Sequence, residues 1–241
     1  MNASRLLLFL CLSLACAGPA LAQAEAPAAF TAPAAPSLTE AEKEDGWRLL
    51  FDGKSLAGWR SQKSETPPAG WQAADGELTR IDKGGDIITA EEFGDFELVL
   101  DWKISTAGNS GILYRVGLSE PHIFHTGPEC QVLDNLEAKD RFKPSCRAAS
   151  LYDLVAPSAD HTKPVGEWNT VRILIRGWRI EHWLNGVLVV ETDLASPEGK
   201  ALIAGSKFNT MAKFATLPRG HIALQDHNDL VSFRNIRIRE L

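Results

Sequence analysis

Glu129, Gln131, Arg115, Lys207, Gln225 and His227 are residue types that bind or ionise hydroxylated ligands, and each interrupts an otherwise apolar, alternating run. Successive strand residues point to opposite faces, so spacing shows which of them can work together. In "GHIALQDHNDLVSFRNIRI" (220–238), Gln225 and His227 share a face with His221 and Ala223, while Asp226 falls with Ile222 and Leu224. In "AGNSGILYRV" (107–116), Asn109, Gly111, Leu113 and Arg115 take one face and Ile112, Tyr114 and Val116 the other. In "HTGPECQVLDN" (125–135), Glu129, Gln131 and Leu133 alternate with Cys130, Val132 and Asp134, and Lys207 sits in the short "GSKFN" (205–209). A His titrates near neutrality and a half-buried Glu can be raised toward it, which suits proton transfer. A face carrying carboxylate, amide, Arg, Lys and His is richer than sugar binding alone requires.

Other polar residues read as structural. Asp226 points away from Gln225 and His227 and suits bonding to turn backbone. His221 stands at the strand start, outside a pocket, while Ala223 leaves room for a ligand. His182 shares parity with Ile180 and Leu184, as a core histidine would, and Arg234, Arg237 and Arg239 read as a charged outer strand face. The spacing Glu129-x-Gln131-x-x-Asp134 is similar to the E-x-D-x-x-E of laminarinase-type glycosidases, in which two carboxylates run a retaining mechanism. Here Gln131 and Asp134 depart from that pattern and weaken a two-carboxylate reading.

Alternation dominates the elements that must position these residues. Phe96, Leu98, Leu100, Trp102 and Ile104 share one strand face, as do Val171, Ile173 and Ile175. Asn185-Gly186 lies between two strand-like runs, and that pair tolerates the positive φ of a type I′ hairpin turn. Val231 and Phe233 differ in parity from Ile236 and Ile238, which predicts a β-bulge near Arg234-Asn235. Helical periodicity is scarce; "SKFNTMAKFA" (206–215), with Ser206 as N-cap, is the best helical candidate. About a dozen short runs point to an all-β jelly roll of two antiparallel sheets.

Arg5 followed by "LLLFLCLSLACAG" and the Ala20–Ala22 cleavage site read as a secretory signal peptide over 1–22. Ser13 fits a lipoprotein signal poorly, so an exported chain without a lipid anchor is expected. Residues 23–45, rich in Ala and Pro, read as linker, and 46–241 as the folded domain; the mature chain has no apolar segment long enough to span a bilayer. The net charge is −6, and loss of Arg5 with the signal makes it more negative, which argues against nucleic acid and anionic membranes as partners. Cys130 and Cys146 remain after the signal leaves. In an oxidising compartment they suit a disulfide worth ~3 kcal/mol, the alternative being two buried thiols.

The chain resembles the 3-keto-disaccharide hydrolase family, the 3-keto-glucoside 1,2-lyase and 3-keto-2-hydroxy-glucal hydratase domain. The stretches that carry the resemblance are "FDGKSLAGW" (51–59), "GNSGILYRV" (108–116), "TGPECQVLDN" (126–135), "SLYDL" (150–154), "GEWNTVRI" (166–173), "EHWLNG" (181–186) and "GHIALQDHNDLVSFRNIRIREL" (220–241). Cys130 departs from the aromatic or Met commoner there, which supports the bridge to Cys146. The resemblance implies a concanavalin-like jelly roll, export, and oxidised (3-keto) glycosides as substrate. In that chemistry a base removes the acidified proton at C2, the enolate expels the C1 substituent, and water adds back at C1. Glu129 or His227 would be the base, with the other assisting the leaving group. Lys207 and Arg115 would stabilise the enolate, Gln131 and Gln225 would bond hydroxyls, and Tyr152 and Asp134 would line the pocket. No cofactor is required, although a divalent metal held by Glu129 and His227 would serve as Lewis acid. A non-catalytic glycan-binding module and a retaining glycosidase are the alternatives.

Overall fold

Alternation becomes cross-strand packing. Leu98 pairs with Ile173, Leu100 with Val171 and Phe96 with Ile175, and all six side chains are buried. The computed structural model describes residues 36–241, so the expected signal peptide and residues 23–35 of the expected linker lie outside the described residues. The strands are β1 (Arg48–Leu49), β2 (Trp59–Ser61), β3 (Trp71–Ala74), β4 (Glu77–Arg80), β5 (Ile87–Phe93), β6 (Phe96–Ile104) and β7 (Asn109–Val116). They continue as β8 (Glu129–Leu133), β9 (Asn169–Arg176), β10 (Arg179–Leu184), β11 (Val187–Asp193), β12 (Gly220–Leu224) and β13 (Val231–Glu240). One sheet has the order β11-β10-β9-β6-β13-β4-β3, with β1 added on β13, and the other β2-β5-β12-β7-β8. All pairings are antiparallel, and the apolar faces meet in one large core, giving the expected jelly-roll sandwich. Among the described residues no helix is long and apolar enough to cross a membrane.

Several local expectations hold. Asn185 (φ 49°) and Gly186 (φ 86°) make the turn between β10 and β11. The register of β13 on β6 shifts between Arg234 and Arg237, with Asn235 at φ 53°, where the parity slip places a bulge. Arg234 reaches Asp101 at 3.2 Å and Arg239 reaches Glu97 at 2.6 Å on the outer face. His182 is buried between the Tyr114 hydroxyl (3.0 Å) and the Ala149 carbonyl (3.0 Å), and burial pushes its pKa down to about 4.

The helices differ from expectation. Within the stretch read as linker, α1 (Glu40–Glu44) has a reciprocal Thr39/Glu42 capping box, and Glu42 lies 3.6 Å from Arg237. The second helix, α2 (Pro197–Ala204), starts at Ser196, whose Oγ accepts from Gly199 N at 3.0 Å. Residues 206–215 are not an α-helix. Ser206 caps a 3-10 turn over Lys207–Thr210, and the apolar spacing there serves to stack Phe208 on Phe214, centroids 3.8 Å apart.

Two side chains expected near the site do structural work instead. Leu113 pairs with Ala223 but Val116 pairs with His221, so β7 carries one more residue than β12 over this step. Arg115 absorbs the difference at φ 51° and leaves the face of Asn109 and Gly111. Its buried guanidinium donates to Gly94 O (3.1 Å), Gly177 O (2.7 Å) and Asp95 Oδ1 (2.8 Å), tying the β5–β6 and β9–β10 turns together. We expect Arg115→Met to lower unfolding free energy by about 2–3 kcal/mol, because a charged donor to these acceptors is lost. Urea melts should show that loss while turnover per folded molecule is unchanged; lost turnover would return Arg115 to the site. Asp134 likewise does not line the pocket that Glu129 lines: its carboxylate accepts from Ala107 N (2.7 Å) and Leu136 N (2.9 Å) and shapes the loops before β7 and after β8.

The expected Cys130–Cys146 disulfide is not formed, and both thiols are free and buried. Strand parity is the reason. Cys130 points into the inter-sheet core, while Cys146, also buried, packs outside that core.

Candidate active site

The opposite face of the five-stranded sheet carries a pocket of about 140 Å³ lined by Asn109, Phe124, Glu129, Gln131, Tyr152, Lys207, Gln225 and His227. Glu129, Gln131, Tyr152, Lys207, Gln225 and His227 therefore converge as expected, although 98 residues of chain separate the first from the last. Glu129 and Gln131 are presented by β8, beside Asn109 of β7. Gln225 follows the last residue of β12; its N donates to Gly111 O at 2.9 Å and its carbonyl accepts from Ser110 Oγ at 2.9 Å. His227 is exposed in the loop beyond, where strand parity no longer applies.

Glu129 is only 5 % exposed. It lies across Gly111: a Cβ at that position would fall 2.0 Å from Glu129 Oε1 and 2.7 Å from its Cδ. With its nitrogen turned toward them, the Gln131 amide donates to Glu129 Oε1 at 2.9 Å and to Ser110 O at 3.1 Å. Burial raises the Glu129 pKa to about 8; the Lys207 charge opposes that shift, and Asp86 and Asp140 add to it. Asp140 also accepts from Asn109 Nδ2 at 3.1 Å.

Lys207 is held from two sides. Its backbone N donates to Asp153 Oδ2 at 3.1 Å, and its ammonium lies 4.2 Å from the Tyr152 ring centroid, 5.2 Å from Phe208 and 5.4 Å from Phe124. Such an aromatic cage keeps a cation directed without neutralising it.

Asp226 and His221 are structural, as the parity of the first and the strand-start position of the second indicate. Asp226 accepts from Arg80 Nε (2.6 Å), Gly84 N (3.1 Å), Gly85 N (2.9 Å) and Asn228 N (3.0 Å). His221 is buried with its Nδ1 2.8 Å from Thr89 O. Ala223 offers no room to a ligand, because Ile123 of the 3-10 turn Ile123–His125 and the neighbouring Phe124 cover it. Sequence reasoning missed Phe124 and Asp86. Both lie outside the alternating strands, and only the aromatic density of "HIFH" distinguished the first. Asp86 Oδ1 accepts from Asp226 N at 2.9 Å, and burial raises its pKa to about 6.

Among the described residues no three His, Cys, Asp or Glu side chains converge on a metal position. A divalent ion would find one buried carboxyl and one exposed imidazole, Glu129 and His227, a thin donor set.

Residues 46–239 match the profile of the 3-keto-alpha-glucoside-1,2-lyase-like domain. A 3-keto-disaccharide hydrolase of Bacteroides thetaiotaomicron is 34% identical over 230 residues, covering 82% of this chain and 79% of that protein. A crystal structure of a candidate glycosyl hydrolase from Parabacteroides distasonis superposes with a TM-score of 0.80 at 31% identity, covering 86% of this chain and 100% of that one. A second from the same organism gives 0.65 at 28% identity, over 81% and 99% of the two chains.

Proposed function

The chain belongs to the 3-keto-alpha-glucoside-1,2-lyase-like domain family, and from that membership and the pocket we propose that it cleaves 3-keto-glycosides by elimination across C1 and C2, with or without rehydration of the glucal. The observation that carries this reading is Glu129: one buried carboxyl, raised to about 8, in a pocket with a caged lysine and two glutamines. Ordinary retaining hydrolysis needs a second carboxyl about 5 Å from the first, and Asp134, the residue the spacing offered, is committed to loop backbone. A carboxyl whose pKa lies near neutrality is a suitable general base.

The chemistry then runs through few groups. Glu129 takes the C2 proton, and the C2–H electron pair moves into an enolate whose oxygen, on C3, is stabilised by the Lys207 ammonium. The enolate collapses to re-form the C3 carbonyl and a C1–C2 double bond, and the C1–O bond breaks with its pair on the leaving oxygen. His227, at the exposed mouth, is placed to protonate that oxygen. Hydration reverses the sense, with hydroxyl added to C1 and the proton returned to C2. Gln131 and Gln225 bond the sugar hydroxyls. The signal at 1–22 would send this activity outside the cytoplasm.

The test is incubation with a matched glycoside and 3-keto-glycoside, each with and without chelator. Aglycone release from the keto substrate alone is expected. Equal cleavage of both would favour a retaining hydrolase, binding without release a glycan module, and loss on chelation a metal at Glu129 and His227.

The same reading sets a pH dependence. The free enzyme's kcat/KM should rise with pH through an apparent pKa of about 8, because Glu129 must lose its proton to act. Stability should move the other way. Folded Glu129 keeps its proton to about pH 8 while an unfolded Glu releases it near 4.5, so its contribution weakens as pH rises through that window. A flat profile would remove Glu129 as the base.

A further inference from the structure

The pocket at Glu129 holds about 140 Å³, below the roughly 300 Å³ at which sites for drug-sized ligands begin. It suits one sugar ring, so the leaving group of a disaccharide must rest beyond it. Two recesses flank the pocket. One, of about 260 Å³, is lined by Ser61, Gln62, Lys63, Asp86 and His122, with the backbone of Gly84 and Gly85. The other, of about 410 Å³, is lined by Glu120, His125, Met211 and Lys213.

The first recess is structurally continuous with the pocket on both sides. Along one wall, His122 stacks on the pocket residue Phe124, ring centroids 5.2 Å apart and planes within 10°. Along the other, Asp226 Oδ2 holds Gly84 N and Gly85 N while Asp226 N donates to Asp86 Oδ1, and the next residue is His227 of the pocket. Asp86 itself lines the recess, and its bond from Asp226 N sets it one residue from His227 of the pocket. The second recess also borders the pocket, through His125 edge-on to Phe124 at 4.7 Å, but its charged groups are spent on one another: Lys213 lies 2.9 Å from Glu120 and 3.0 Å from Ser119.

We propose that the recess bounded by Ser61, Gln62, Lys63, Asp86 and His122 is the subsite for the leaving group, and that its ligand is a hydroxylated ring such as the second sugar of a 3-keto-disaccharide. Hydroxyl, amide, ammonium and carboxylate groups face a polyol there, with Pro121 the one aliphatic side chain among the lining residues. The Gln62 Nε2 donates to Glu120 O at 2.7 Å, which fixes the amide and leaves its oxygen for a sugar hydroxyl. The scissile oxygen then lies at the mouth of the pocket beside His227, on the Asp86 side. This assignment rests on the elimination reading of the Glu129 pocket.

The experiment compares kcat/KM for a 3-keto-disaccharide with that for the methyl 3-keto-glucoside, which has no second ring. In the double variant Gln62→Ala/Lys63→Ala, and separately in His122→Ala, the disaccharide-to-methyl ratio should fall about tenfold, carried by KM for the disaccharide. Lys213→Ala, in the other recess, should leave the ratio at the wild-type value. An unchanged ratio in the first two variants, or a fall in Lys213→Ala instead, overturns the subsite while wild-type turnover keeps the elimination reading. A wild-type enzyme that leaves both keto substrates intact overturns both.

Discussion

Glu129→Gln should lower kcat/KM on a 3-keto-glycoside on the order of 10²–10⁴-fold, the range typical of losing a general base. The substitution keeps shape and volume at a site that is 5 % exposed, so packing over Gly111 survives. It also replaces a group that carries its proton to about pH 8 with one that is always neutral, so the folded state loses no ion pair and the melting temperature should hold or rise. The neutral variant should still bind the keto substrate through Gln131, Gln225 and Lys207, and the pH limb near 8 should vanish with the turnover. Normal turnover in Glu129→Gln would move the base to His227 and sink the assignment of roles.

Gly111→Ala should be nearly as damaging without any change in a chemical group. Gly111 has no left-handed φ, so an alanine backbone is tolerated there. The obstacle is the methyl group, which would stand 2.0 Å from Glu129 Oε1, 2.7 Å from Cδ and 2.9 Å from Cγ. The flexible end of Glu129 can swing away at a cost of about 1 kcal/mol in rotamer strain, so the protein should fold. The carboxyl would then sit off line, and a misplacement near 1 Å costs roughly 10²-fold in rate. The expected result is a native circular dichroism spectrum, a small change in melting temperature and a kcat reduced about 10²-fold. Shortening the acid in the same background, Gly111→Ala with Glu129→Asp, should recover part of the loss. Full activity in Gly111→Ala alone would mean that the working carboxyl does not lie over β7.

These two residues show how far one-dimensional reading reaches. Strand parity put Glu129 with Gln131 on one face of β8 and Asn109 with Gly111 on one face of β7, and it separated Gln225 from Asp226, because an extended backbone obeys a period of two. It failed at Arg115, where a one-residue mismatch with β12 is absorbed by a left-handed residue, so the face changes without any mark in residue type. It failed differently at Cys130 and Cys146. Their separation along the chain suited a bridge, but the sheet carries one thiol into the core and leaves the other outside it. The helix expected over 206–215 gave way to the stacking of Phe208 on Phe214, a tertiary contact that outweighs weak helical periodicity.

Periodicity, turn chemistry and the family motifs were enough to specify an all-β sandwich, the hairpin at Asn185-Gly186, the bulge at Asn235 and the six side chains that meet in the pocket. They follow from local rules: each depends on a residue and its near neighbours in the chain. What makes those six chemically distinct is not local. The proton on Glu129 is held by desolvation, the Lys207 cation is directed by rings from three separate segments, and the Asp86 carboxylate is brought beside His227 by accepting from Asp226 N, 140 positions away in the chain. Burial and electrostatic coupling are sums over everything packed around a group, and only the closed sandwich sets those neighbours.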